Sequence, residues 1–204
     1  MAENMKKLFV LYLLLAISGC SNNKNSLSTH QQTSRIDSGV VATYAATESH
    51  TEEYVNRVGK RILLVSDGPT NNYTFSVLET NDPVLAINIE TNSVIISNGV
   101  LYQLKDEAEL AAALALGIAK LKNTTNIDKD VAKVLSMAGY DPHAILELQQ
   151  QYFYAANNHQ THWLQNLYPT PPAAGEIVNN ELMLKRMPKG LLRGEDDYNK
   201  ELYK

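Results

Sequence analysis

Apolar and small residues recur at helical spacing in residues 106–123, DEAELAAALALGIAKLKN. The face that they share consists of Leu110, Ala113, Leu114, Gly117, Ile118 and Leu121. This spacing is typical of an amphipathic helix. Asp106 is the predicted N-cap, and Glu109, three residues later, can complete a capping box. The pattern therefore predicts a helix with one buried face.

Three shorter segments have the apolar, β-branched or alternating character of strands: residues 73–79, 84–90 and 93–97. Thr91 and Asn92, between the last two segments, predict a tight hairpin turn. Together with the helix above, these segments predict a small antiparallel sheet packed against residues 106–123.

Helical patterns cover four further segments: residues 47–64, 128–137, 141–156 and 174–187. Gly139 is the expected C′ residue that ends the second of these helices. Asp141 and Pro142 are the expected N-cap and first helical residue of the third. The predicted fold class is therefore α+β and mainly helical.

The N-terminus has the pattern of a bacterial lipoprotein signal. Lys6 and Lys7 precede an apolar run over residues 8–17, which ends in Ile17-Ser18-Gly19-Cys20, similar to a lipobox. The run is too short to span a bilayer, which needs ~20 apolar residues. Residues 1–19 are therefore expected to be a signal peptide, with translation starting at either Met1 or Met5.

Cys20 is the only cysteine, so no disulfide can form within the chain. Lipidation of Cys20, with palmitate among the acyl chains, would explain a lone cysteine at this place. Each buried methylene of an acyl chain adds ~0.8 kcal/mol of membrane binding. Ser21 follows where an aspartate would signal retention, and by resemblance to sorting signals this indicates the outer membrane, facing the periplasm.

Residues 20–40 are polar and lack periodicity, which predicts a flexible, lipidated tether that includes His30. Residues 188–204 form a charged tail that is expected to be loosely held. The formal net charge of -4 and the absence of a basic stripe exclude a nucleic-acid partner.

Four segments, read in chain order, resemble the zinc metallopeptidase family of HtpX, the CaaX prenyl proteases and the BepA- and LoiP-type envelope proteases. They are YVNRVGKRIL (54–63), VIISNGVLYQLKDEAELAAAL (94–114), MAGYDPHAI (137–145) and YPTPPAAGEI (168–177). The resemblance implies a minimal zincin-like domain, with the metallopeptidase-like region spanning residues 41–187.

The chain departs from this family at the positions that carry its chemistry. LGIAK stands where active members have His-Glu-x-x-His, so that Leu116 and Lys120 occupy the two ligand positions and Gly117 the glutamate position. The third ligand falls near Thr124, and Tyr168 replaces a later histidine. Asp128 is kept as the nearby acidic residue, whereas the family's substrate-edge motif is replaced around residues 85–93. The resemblance therefore implies no catalytic residue, no metal ligand and no zinc cofactor.

The sequence leaves other interpretations open for several histidines, Asp128 and Lys120. His143, His159, His162 and Asp128 are the candidates for a rebuilt zinc site, although the histidines are also typical of solvated or capping positions. Lys120 is either a buried base of lowered pKa or a snorkelling lysine at a helix end. His50 has no obvious partner.

An aromatic group consists of Tyr152, Phe153, Tyr154 and Trp163, and it fits either the core or a partner-binding patch. The expected function is that of a lipid-anchored envelope protein whose inactive metallopeptidase-like domain binds a partner protein. The alternatives are a zinc-dependent metalloendopeptidase with non-standard ligands and a structural lipoprotein without a dedicated partner.

Overall fold

The helix predicted at residues 106–123 lies at the centre of the fold. The computed structural model describes residues 49–66 and 73–203, which belong to one compact unit, Ala46–Lys204. The signal peptide, Cys20 and the tether lie outside the described residues. Helices α1 (His50–Leu63), α2 (Asn98–Leu101), α3 (Glu107–Leu121) and α4 (Ile127–Ala138) are followed by α5 (His143–Asn157), a 3₁₀ turn (Trp163–Asn166), α6 (Ala174–Leu184) and α7 (Glu195–Leu202).

Helix α3 is buried around its whole circumference from Ala108 to Ala119, rather than on one face as predicted. Its many alanines and Gly117 let neighbouring elements approach closely from every side. Helices α1, α4 and α5 and the sheet all pack on it. The predicted amphipathic helix is therefore the core helix of the domain.

The N-terminus of α3 is capped almost as the sequence predicts. The Asp106 carboxylate accepts a hydrogen bond from the backbone N–H of Glu109 at 2.8 Å. The returning bond from Glu109 goes to the backbone N–H of Lys105, at 2.7 Å, and not to that of Asp106. The buried Glu109 thus satisfies the donor one residue before the position that a capping box would use.

The sheet contains β1 (Thr74–Leu78), β2 (Leu85–Asn88) and β3 (Ser93–Ser97) in the order β1-β3-β2. The predicted hairpin is confirmed, because β2 pairs antiparallel with β3 and Asn92 takes a positive φ of 51° in the turn. The prediction of an entirely antiparallel sheet is wrong, because β1 pairs parallel with β3.

The connection between β1 and β2 explains this topology. It crosses the end of β3, where the Ser97 hydroxyl donates to the Asp82 carbonyl at 2.7 Å and accepts from the Val84 N–H at 2.8 Å. A Cβ on Gly99 would lie 2.2 Å from the Asn81 carbonyl oxygen, so only glycine lets the connection pass so closely. The chain therefore places β2 on the far side of β3 from β1.

The turn between α4 and α5 follows the prediction. Gly139 ends α4 in the left-handed conformation, with φ 85°. The Asp141 carboxylate accepts from the His143 N–H at 3.0 Å, as an N-cap does, although α5 is assigned from His143 rather than from Pro142.

The expectation of a loosely held tail is wrong for the described residues after Pro188. Tyr198 on α7 is 1% exposed and its hydroxyl donates to the Leu101 carbonyl at 2.5 Å. Arg193 forms two hydrogen bonds with the Glu147 carboxylate, at 2.9 and 3.1 Å, and another with Asp106 at 2.7 Å. A buried aromatic anchor and a paired arginine thus fix a segment that looks merely charged in sequence.

Candidate functional site

The positions where the sequence resemblance predicts a His-Glu-x-x-His motif, residues 116–120, lie on α3 and carry no metal donor. Leu116 is 3% exposed. Gly117 packs so closely on the central strand that a Cβ there would lie 2.7 Å from a methyl carbon of Val94. Lys120 is exposed at the helix end, and its Nζ lies 5.4 Å from the centroid of the Tyr168 ring. Of the two alternatives for Lys120, its exposure therefore favours the snorkelling lysine at a helix end over the buried base.

Tyr168, for which the resemblance implies a histidine in active members of the family, contacts the same helix. Its hydroxyl donates to the Leu116 carbonyl oxygen at 3.2 Å. Burial, and to a smaller extent the charge of Asp128, raises the pKa of the Tyr168 hydroxyl well above its ordinary value. Tyr168 therefore stays protonated at neutral pH and acts as a hydrogen-bond donor.

Leu116 and Tyr168 line one side of a cleft of about 420 Å³. Its polar part brings together three side chains from three helices: Asp128 from α4, Gln149 from α5 and Asn180 from α6. Gln149 Nε2 donates to Asp128 Oδ1 at 2.6 Å, and Asn180 Nδ2 donates to Asp128 Oδ2 at 2.7 Å. Asn180 Nδ2 also donates to Gln149 Oε1 at 3.0 Å. The carboxylate is therefore held in a fixed orientation by two neutral amides.

The remaining lining of the cleft is part apolar and part polar. It comprises Thr125, Asn126, Ile127, Lys129, Tyr152, Leu164, Thr170, Pro172 and Glu176. Among the described residues, no lysine, arginine or histidine forms an ion pair with Asp128. Two carboxylates against one lysine leave the lining with a formal charge of minus one.

The histidines considered for a rebuilt metal site are engaged elsewhere. His143 lies 2.8 Å from the Asp141 carboxylate, and His159 is exposed in a turn with φ 56°. His162 accepts from the Leu164 N–H through Nδ1 at 3.3 Å, and burial lowers its pKa to about 4. Within residues 49–66 and 73–203, no three His, Cys, Asp or Glu side chains come together so as to hold a metal ion.

A further expectation concerns His50, the first residue of α1. His50 does have a partner, because its Nε2 lies 2.5 Å from Glu201 Oε2 on α7. This partner was not obvious from the sequence, since α7, which carries Glu201, was not predicted.

The aromatic group divides between core and surface. Tyr152 and Trp163 are buried, and the His162 ring stacks between them, at 5.4 and 5.0 Å from their ring centroids. Phe153 is half-buried, whereas Tyr154 is 63% exposed. The core interpretation therefore holds for two of the four, and only Tyr154 is largely available to a partner.

Sequence reasoning singled out Asp128 but missed Gln149 and Asn180. Both amides lie on helices where they look like ordinary surface residues, and the three side chains are far apart in sequence. The only available signal was that each amide lies on the side of its helix that turns toward the cleft.

No protein-family model matches the chain, and no curated protein matches it. The fold and the site define an α+β, mainly helical domain with a polar cleft beside its core helix. No helix in the described part of the chain is both long and apolar enough to cross a membrane.

Proposed function

We propose that this protein is a lipid-anchored protein of the bacterial envelope whose metallopeptidase-like domain is catalytically inactive and binds a partner protein. The observation that carries the loss of catalysis is the close approach of Val94 to Gly117, where a Cβ would lie 2.7 Å from a Val94 methyl carbon. It leaves no room for a general base at the position where the family resemblance puts one.

The donor set supports the loss of zinc chemistry. A catalytic zinc site needs three nitrogen, sulfur or oxygen ligands and a group that activates the bound water. Leu116 offers a hydrocarbon, Lys120 an ammonium that repels a dication, and Gly117 no side chain at all. The residues present therefore do not fit a zinc ion, and no step is assigned to one.

The zinc-dependent alternative has less support. Both oxygens of Asp128 accept from amides, and Nδ1 of His162 accepts from the backbone. His143 is paired with Asp141, while His159 is exposed in its turn. Asp128, His143 and His162 would have to leave these partners, and all four candidates would have to converge, before they could bind one ion.

Partner binding is supported by the cleft. A cleft of about 420 Å³ has the size of a ligand-binding site, which typically measures about 300–1,000 Å³. Its mixture of apolar walls and a few convergent polar groups is typical of recognition sites. A lipid on Cys20 would keep this cleft close to a membrane surface and to other envelope proteins.

The full chain, purified from membranes in a neutral detergent, tests the loss of catalysis. We expect zinc far below one ion per chain, and no chelator-sensitive cleavage of an unfolded protein substrate. Stoichiometric zinc together with chelator-sensitive cleavage would overturn the proposal and favour the alternative.

Membrane fractionation and crosslinking test the other two parts. We expect Cys20→Ser to lose membrane anchoring. A photo-crosslinking amino acid in place of Lys129, on the cleft, should give a discrete product in cells, whereas one in place of Lys133 should not. Crosslinking that is equally diffuse from both positions would favour a structural lipoprotein without a dedicated partner.

A further inference from the structure

We propose that the cleft beside α3 binds the guanidinium group of an arginine on the partner protein, with Asp128 as its counter-ion. This inference, which rests on the partner-binding function proposed above, specifies the chemistry of the contact. The observation behind it is a carboxylate that lines a cleft, is oriented by two amides, and has no cationic partner among the described residues.

The orientation of Asp128 is fixed before any ligand arrives. Gln149 is 8% exposed and donates to Oδ1, while Asn180 donates to Oδ2. An ionised carboxylate has about four lone-pair sites, so each oxygen keeps one further acceptor site. Because both oxygens can still accept, the carboxylate can take a guanidinium, which forms bidentate hydrogen bonds with carboxylates.

Other ligand classes fit the cleft less well. An anion would face Asp128 and Glu176 with only Lys129 to offset them in the lining. A metal ion at Asp128 would gain no ligand from Gln149 or Asn180, because both turn their NH₂ groups toward Asp128. An amide NH₂ group cannot ligate a metal.

The walls also suit a planar cation. The rings of Tyr152 and Tyr168 line the cleft, and aromatic faces are favoured neighbours of guanidinium groups. The Lys120 ammonium lies 5.4 Å from the centroid of the Tyr168 ring, within the range of cation–π contacts. Arginine is also enriched at the centres of protein–protein interfaces.

The test compares two peptides that differ only in charge, acetyl-Gly-Arg-Gly-amide and acetyl-Gly-citrulline-Gly-amide. The full lipidated chain in neutral-detergent micelles is titrated with each. Trp163, the only tryptophan of the chain, adjoins Leu164 in the cleft lining and reports binding by its fluorescence. We expect the arginine peptide to bind at least about tenfold more tightly, the effect of one hydrogen-bonded charge pair.

Two variants on α4 provide the matched comparison. Asp128→Asn should reduce the affinity for the arginine peptide to that for the citrulline peptide. Asp130→Asn removes the same charge two residues away, where Asp130 lines a separate groove with Met137, and should change nothing. Lys129→Gln should strengthen binding of the arginine peptide two- to threefold by removing a repulsive charge.

The outcomes separate this inference from the proposed function. Equal affinity for both peptides in the unmodified chain would overturn the inference, whether or not Asp128→Asn folds. A preference for the arginine peptide that persists in folded Asp128→Asn protein would also overturn the inference. Cleavage of the peptide would instead overturn the proposed loss of catalysis.

Discussion

Replacing Gly117 by alanine tests whether the position where the family resemblance puts a general base is sterically closed. In an unconstrained helix interior this change stabilises by about 0.8–1.0 kcal/mol, because glycine is a poor helix former. At Gly117 the new Cβ would lie 2.7 and 3.0 Å from the two methyl carbons of Val94. Val94 is fully buried on the central strand, and a β-branched side chain there cannot rotate away easily.

The two effects have opposite signs, and their sizes decide the result. Overpacking a well-filled core costs about 1–3 kcal/mol. After subtraction of the helix-propensity gain, Gly117→Ala should lower the free energy of unfolding by about 1 kcal/mol. Gly117→Glu, which would put a carboxylate at the general-base position, should be far more destabilising because its whole side chain must find room.

A double-mutant cycle with Val94→Ala isolates the contact. Val94→Ala alone should cost about 2–3 kcal/mol through lost burial and a cavity. In that background only the Val94 Cβ remains near the new methyl group, at 3.5 Å, which is an ordinary contact. Gly117→Ala should then stabilise, which gives a favourable coupling energy of about 2 kcal/mol.

Urea unfolding of the full chain, followed by Trp163 fluorescence, measures each change as a shift in midpoint at constant slope. Gly175→Ala on α6 is the matched control, since no atom lies within 4 Å of its would-be Cβ. It should be neutral or stabilising. If Gly117→Ala stabilised the chain as Gly175→Ala does, the argument that Val94 leaves no room for a side chain at position 117 would be refuted.

Two further predictions concern charge. Arg193→Met should lower the free energy of unfolding, measured in urea, by about 2–3 kcal/mol, because Glu147 and Asp106, whose side chain is 7% exposed, lose their shared cation. Lys185→Met removes the exposed ion pair with Glu181 and should lower it by under 0.5 kcal/mol. Equal losses in the two variants would contradict the distinction between a part-buried and an exposed pair. His162 has a pKa of about 4 in the folded chain and 6.5 when unfolded, so the unfolded chain binds more protons between these values. The contribution of neutral His162 to the free energy of unfolding is fully present above about pH 6.5 and is lost as the pH falls toward 4. The loss should be about 2 kcal/mol after allowance for the partial exposure of His162. His162→Asn should flatten this part of the pH–stability curve, and an unchanged curve would assign the pH dependence to other groups.

Local features of the fold were predicted well because they depend on a few neighbouring residues. The Asp106 cap, the left-handed Gly139 and the hairpin at Asn92 each depend on local hydrogen bonds or backbone conformation within one turn. The helix ends were less exact, since α6 stops at Leu184 rather than at residue 187. Helix termini depend partly on packing, so such differences are ordinary.

Features that join distant segments were missed for a common reason. Tyr198 gives no sign in sequence that it will reach the Leu101 carbonyl and hold α7 against the domain. Gln149 and Asn180 acquire their role only by converging on Asp128. Each of these contacts depends on where the chain returns, which hydrophobic periodicity does not specify.

The sequence by itself determined the mainly helical fold and the chemistry of positions 116, 117 and 120, because side-chain identity decides whether a group can hold an ion or move a proton. Tertiary structure alone decided that β1 runs parallel to β3, that α3 is buried on every side, and that one carboxylate lies uncompensated by a cation in a cleft of the described domain. Strand direction and charge pairing are properties of neighbours in space. The order of residues along the chain does not show which of them become neighbours; the packing of the helices and strands decides this.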